Sequence, residues 1–171
     1  MKALARILVV SGFLTSAAGL LVLPQFAASP AQQIPGMDHS VTAPNEPTPA
    51  FHAQAPTDAL PPTMEPALFT DTLTFNAYVI ASRVKKILYQ QPCYCHCDRS
   101  QGHGSLLDCF VGRHGSGCDI CQKEDFYSYE QTRNGKTPAQ IRAGIMHGDW
   151  QNVDTTKYAK AQLPASGTPA K

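Results

Sequence analysis

All six cysteines of this 171-residue chain lie between Cys93 and Cys121, spaced as C-x-C-x-C, eleven residues, Cys109, eight residues, then C-x-x-C. Three histidines sit among them, His96 inside the triplet and His103 and His114 in the stretch that follows. Read as an extended strand, Cys93, Cys95 and Cys97 project to one side about 6.6 Å apart at their Cα atoms, with Tyr94 and His96 on the other side. Thiols so spaced are poorly placed to bond one another, so their partners are an ion or cysteines farther along the chain. Cys118 and Cys121 are one helical turn apart. That puts both sulfurs on one side of a helix N-terminus, where free N–H groups and the helix dipole favour thiolate.

The pattern suits three uses: holding a soft transition metal, stapling the fold with disulfides, or thiol redox chemistry. Disulfides are the ordinary use of clustered cysteines outside the cytoplasm. Metal is favoured by the density of the triplet, by the interleaved histidines, and by Gly102, Gly104, Gly112, Gly115 and Gly117, which let the loop fold back over an ion. The candidate ligands are Cys93, Cys95, Cys97, Cys109, Cys118 and Cys121, with His96, His103 and His114 beside them, and soft thiolates favour Cu(I) or Zn. In the redox alternative Cys118 attacks and Cys121 resolves. In the stapled alternative the domain has no chemistry, and Phe126, Tyr127, Tyr129 and Trp150 form either a partner surface or core. Gln122 rather than His follows the C-x-x-C pair, which sets haem attachment aside, and no strand–helix–strand pattern surrounds it to suggest thioredoxin chemistry. No catalytic residues are assigned.

The N-terminus carries Lys2 and Arg6, an apolar stretch from Ile7 to Leu23, and the small-residue run Ala27, Ala28, Ser29, Pro30, Ala31. This is the layout of a secretory signal peptide. The alternative is an uncleaved anchor, the one route by which the chain would associate with a membrane. The stretch is at the short limit for a span and is interrupted by Ser11, Gly12, Thr15 and Ser16. Both readings export the rest of the chain to the periplasm or the extracellular space. An oxidising compartment pairs free thiols before metal arrives, so the metal reading there calls for a metal-donor or thiol-reducing protein partner. A formal net charge of +1 and a charged fraction of 16% offer no basic field, and no nucleic-acid partner is expected.

From Ser29 to Leu68 there are nine prolines, no Lys or Arg and no sustained apolar period, which reads as a disordered or extended linker. The expected fold is mainly α: a small three-helix domain with an irregular Cys/His-rich loop, preceded by the signal segment and a disordered Pro/Ala-rich linker. The boundaries are 1–31 for the signal or anchor, 32–68 for the linker, 69–154 for the cysteine-rich domain and 155–171 for a flexible tail. Asp71 caps a first helix whose Leu73, Ala77, Ile80, Val84 and Leu88 recur at helical spacing, and Pro92 ends it. A second helix opens at Cys118, with Asp119, Glu124 and Asp125 favouring its N-terminal end, and closes at Asn134 and Gly135. Thr137, Pro138 and Gln140 form a capping box for a third, with Ile141 and Ile145 facing inward and Gly148 as its stop.

The run Pro92, Cys93, Tyr94, Cys95, His96, Cys97, followed by Gly102, His103, Leu107, Cys109, Phe110, His114, Gly115, Gly117, Cys118 and Cys121, resembles the bacterial PCYCGC-motif family. The resemblance covers about half the chain, from the first helix to the third. It implies that the three cysteine groups belong to one unit. Members look like exported, often lipid-anchored proteins, some with selenocysteine in the motif, and their function is not established. Selenocysteine in relatives would fit a redox or soft-metal role better than a passive staple. This chain departs twice: His96 stands where the family usually has Gly, and no Cys precedes Cys93 to take a lipid.

Overall fold

The computed structural model describes residues 47–165. The signal segment, the linker up to residue 46 and the last six residues lie outside the described residues. Among those described there is no strand, and no helix is long and apolar enough to cross a membrane. Seven α-helices are present: α1 (Thr72–Arg83), α2 (Lys85–Leu88), α3 (Cys97–Ser100), α4 (Asp108–Val111), α5 (Asp119–Arg133), α6 (Pro138–His147) and α7 (Thr156–Ala159). The three long ones, α1, α5 and α6, are the three expected; of the short ones α2 is the far end of the first expected helix, α3 and α4 lie in the Cys/His loop and α7 in the tail.

The ends of the long helices follow local chemistry. The Asp71 carboxylate accepts the Thr74 N–H at 2.8 Å to open α1. The expected continuous helix to Leu88 instead breaks at Val84, whose φ of −115° and ψ of 24° leave the helical region. On either side of the break Arg83 donates to the Pro164 carbonyl and Lys85 to the carbonyls of Leu60 and Pro61. Both cations are thereby held by chain segments flanking the helix. α6 has the reciprocal capping box of Thr137 and Gln140, and ends at Gly148 with φ 89°.

Two apolar clusters share α5. One joins Ile120 and Tyr127 to Ile141, Ile145 and Trp150. The other gathers Phe69, Tyr78, Ile80, Leu88, Leu106, Phe110 and Phe126 around four of the cysteines. Tyr78 is fully enclosed, its ring 4.2 Å from that of Phe69 and edge-on to Phe110, while its hydroxyl donates to the Gly112 carbonyl at 2.7 Å. A buried phenol with its one donor satisfied adds packing without leaving a polar orphan.

Segments expected to be loose are docked. Residues 47–68 run along the helices: His52 stacks on Tyr89 with ring centres 3.9 Å apart, and the Met64 N–H bonds the Phe110 carbonyl at 2.8 Å. At the other end Asn76, buried in the middle of α1, donates to the carbonyls of Tyr158 and Ala161 and accepts the Leu163 N–H, and Tyr158 lies flat on Phe126. These straps explain why α1 is buried on more than one stripe, with Ala77 through Ala81 all closed off. The folded unit therefore extends beyond the expected 69–154 on both sides. A proline-rich segment and a polar tail dock through backbone groups and isolated side chains, which leave no periodic signal in sequence.

Candidate metal centre

The triplet is not a strand. The His96 N–H bonds back to the Cys93 carbonyl at 3.1 Å, His96 adopts φ 56° and ψ 33°, and α3 begins at Cys97. This tight turn curls the expected row of thiols, so the sulfurs of Cys93 and Cys95 lie 3.3 Å apart. His96 is the one non-glycine residue with positive φ among the described residues.

Each remaining donor is placed by a specific support. The Leu106 N–H bonds the Gln91 carbonyl at 2.9 Å, fixing the chain that enters at Pro92. The Tyr94 N–H donates to the Glu124 carboxylate at 2.9 Å, tying the triplet to α5. Asp108 accepts the N–H groups of Gly104 and Ser105, shaping the loop that carries His103. Cys109 rides on α4, anchored by the buried Phe110. His114 opens the 3₁₀ turn His114–Gly117, whose Gly115 carbonyl accepts from Gln122 of α5 at 2.9 Å. At Gly115 a Cβ would meet the Phe110 ring at 2.9 Å, so only glycine lets the turn sit this close. Cys121 lies in the first turn of α5, fully buried.

The result is one compact cluster. Cys93 and Cys121 sulfurs are 3.4 Å apart, Cys95 and Cys121 3.5 Å, and Cys97 and Cys109 3.3 Å. His114 Nε2 lies 3.4 Å from the Cys95 sulfur, and His103 Nδ1 lies 3.3 Å from that of Cys109. All six thiols are free, with these separations well beyond a disulfide bond of about 2.05 Å. Two groups of four donors have all members within 4.8 Å of one another: Cys93, Cys95, Cys97 and Cys109, and Cys95, Cys109, His114 and Cys121. A cluster of this kind can bind a metal ion.

The other candidates stand outside those groups. Cys118 is the N-cap of α5, its sulfur accepting the Cys121 N–H at 3.5 Å. His96, turned by its left-handed backbone, faces the Tyr94 ring edge-on. His103 flanks Cys109, its ring 5.3 Å from that of His114. Glu124 and Asp125, expected only as favourable charges near a helix end, are wholly buried. For Glu124 a signal existed, since an acid three residues after Cys121 lies on the same helical face.

Charge in the cluster settles unevenly. The neighbouring thiols of Cys109, Cys118, Cys121 and Cys93 hold the Cys95 thiol far below the ordinary range. Contacts from Cys121 and Cys93 lower Cys109 to about 4. Burial pushes Cys93 well up, and the neighbouring Cys109 does the same to Cys97 and Cys121. For Cys118, contact with Cys121 favours the thiolate, but Cys95 and burial outweigh it and push the thiol to about 12. Burial also raises the Glu124 carboxyl well above its usual range.

A family model described as a protein of unknown function with PCYCGC motif matches residues 52–152, well over half of the chain. No curated protein and no solved structure matches.

Proposed function

The chain belongs to the family of proteins of unknown function with a PCYCGC motif, and from that premise we propose that it is an exported metal-binding protein whose thiol centre holds a soft transition metal, Cu(I) or Zn. The observation that carries this reading is the convergence of five unpaired sulfurs and the His114 imidazole on one locus beneath an apolar shell. Packing alone gives no reason to collect so many thiols. Soft sulfur with one borderline nitrogen is the donor chemistry of Cu(I) and Zn. Export is supported by the basic, apolar and small-residue order of the N-terminus.

Cys93, Cys97, Cys109 and Cys121 are sealed, whereas Cys95, His103, His114 and Cys118 are half-buried. Metal exchange with a donor protein, or thiol reduction, would occur from that side. The thiol-exchange alternative fares worse, because an attacking Cys118 needs thiolate character and its surroundings push the thiol to about 12. Elemental analysis of the full chain purified without added metal, with free thiols counted on the same sample, tests the proposal. Bound Cu or Zn with protected thiols is expected; metal-free protein with three disulfides would overturn it.

A further inference from the structure

The six convergent donors do not form a single group. They divide into two sets of four that have Cys95 and Cys109 in common. Ligands of one ion at about 2.3 Å lie no more than about 4.6 Å apart, opposite positions included. One ion therefore cannot hold all six as they stand, because the full set is not mutually within 4.8 Å. Two ions sharing an edge can. Of the two shared sulfurs, Cys95 touches Cys93 of one set and Cys121 and His114 of the other, and Cys109 touches Cys97; Cys93 and Cys121 also meet across the two sets.

Building on the metal-binding reading above, we infer that the centre is dinuclear. The Cys95 and Cys109 thiolates bridge two four-coordinate ions, one completed by Cys93 and Cys97 and the other by Cys121 and His114. A thiolate sulfur has lone pairs enough for two metals, and a tetrahedral site with bonds of about 2.3 Å has edges of about 3.8 Å. Within each set the sulfurs now 3.3 to 3.5 Å apart need open by only a few tenths of an ångström, while Cys93 and Cys121, 3.4 Å apart across the two sets, must draw apart as each takes its own ion.

Charge favours the same count and a divalent ion of the zinc type. Five thiolates in an apolar shell carry an excess that a single divalent ion leaves largely uncompensated, and buried charge is costly unless paired. Two divalent ions bring the cluster to within one charge of neutrality, whereas two Cu(I) ions leave three.

The test is anaerobic titration of the reduced full chain with Co2+, followed by Zn2+ competition, and the same titration of His114→Ala, a half-buried position whose loss leaves the apolar shell intact. Wild type is expected to take up two Co2+ per chain, with the high-spin EPR signal per ion falling as the second enters, because bridging sulfur couples the spins. His114→Ala is expected to drop to one tightly held ion with a full-intensity, uncoupled signal. Saturation of wild type at one ion, or at two with uncoupled signals, would overturn the bridged pair while leaving metal binding intact. No uptake by the reduced protein would overturn both.

Discussion

On one side of α5, Ile120 and Tyr127 close against Ile141, Ile145 and Trp150 as apolar surfaces, with a capping box and a left-handed glycine setting the ends of α6. On the other side the same helix presents Cys121 and Glu124 to a shell of aromatic and aliphatic groups enclosing four more sulfurs. The α6 side is complete once its shapes match. The thiol side fills its volume with groups that can hold a cation, and on the proposed metal-binding function its stability depends on what occupies it. A shared helix thus joins a core that apolar burial stabilises by itself to one whose cohesion is conditional.

The largest expected effect comes from removing the condition. Stripping metal with a strong chelator under reducing conditions should cost the thiol side on the order of 10 kcal/mol, the scale of structural zinc in small domains. Hydrogen exchange should then show α3, α4 and the first turn of α5 losing protection far more than α6. Equal loss across both sides, or none, would dissolve the distinction between the two cores.

The α6 side can be broken by shape alone. A Cβ on Gly144 would collide with the Tyr127 hydroxyl and come within 2.8 Å of its ring carbon. Gly144→Ala should therefore destabilise by about 2 kcal/mol despite alanine's better helix propensity, with metal stoichiometry unchanged. Thermal melts of the loaded protein, with metal content measured alongside, check both halves of that statement.

A third effect belongs to charge. Asp125 is fully buried and neither of its oxygens finds a hydrogen-bond partner; burial raises its carboxyl well above the usual value, as it does that of Glu124. The folded state thus keeps these protons to higher pH than the unfolded chain does. Stability is greatest below the ordinary carboxylate range and declines as pH rises from about 4 toward the folded values. Asp125→Asn should remove about half of that slope and add about 1–3 kcal/mol at pH 7, with no gain at pH 3. Denaturant titrations at the two pH values measure it, and an unchanged slope would place the pH sensitivity elsewhere.

How far the two sides could be read beforehand follows from the range of their signals. The ends of α5 and α6 are written within four residues of themselves, in Cys118, Gly135, Thr137, Gln140 and Gly148, and they stand where expected. The convergence of Cys109 and His114 on the triplet depends on α4 and a 3₁₀ turn held by Gln122 and by the Met64 strap, contacts that no local spacing encodes. Cys118 and His96 looked equivalent to their neighbours. Only the capping role of one and the left-handed backbone of the other set them apart. Asn76 carried no signal of its own in the sequence, because its partners are backbone groups of the tail more than 80 residues away.

The smallest expected effect bears on the turn that makes the thiol side conditional. His96 holds a left-handed backbone at the position that is glycine in the family's PCYCGC motif. A side chain there costs about 1–2 kcal/mol, less for histidine than for a β-branched residue, and glycine gives back part of the gain as unfolded-state entropy. His96→Gly should therefore stabilise by about 0.5–1 kcal/mol in the metal-free and the loaded protein alike. The gain would appear as a parallel shift of both denaturation midpoints, with metal uptake unchanged. If the substitution instead lowered the number of ions held, His96 would be a ligand despite its turn, and the thiol side would extend one residue further than its geometry indicates.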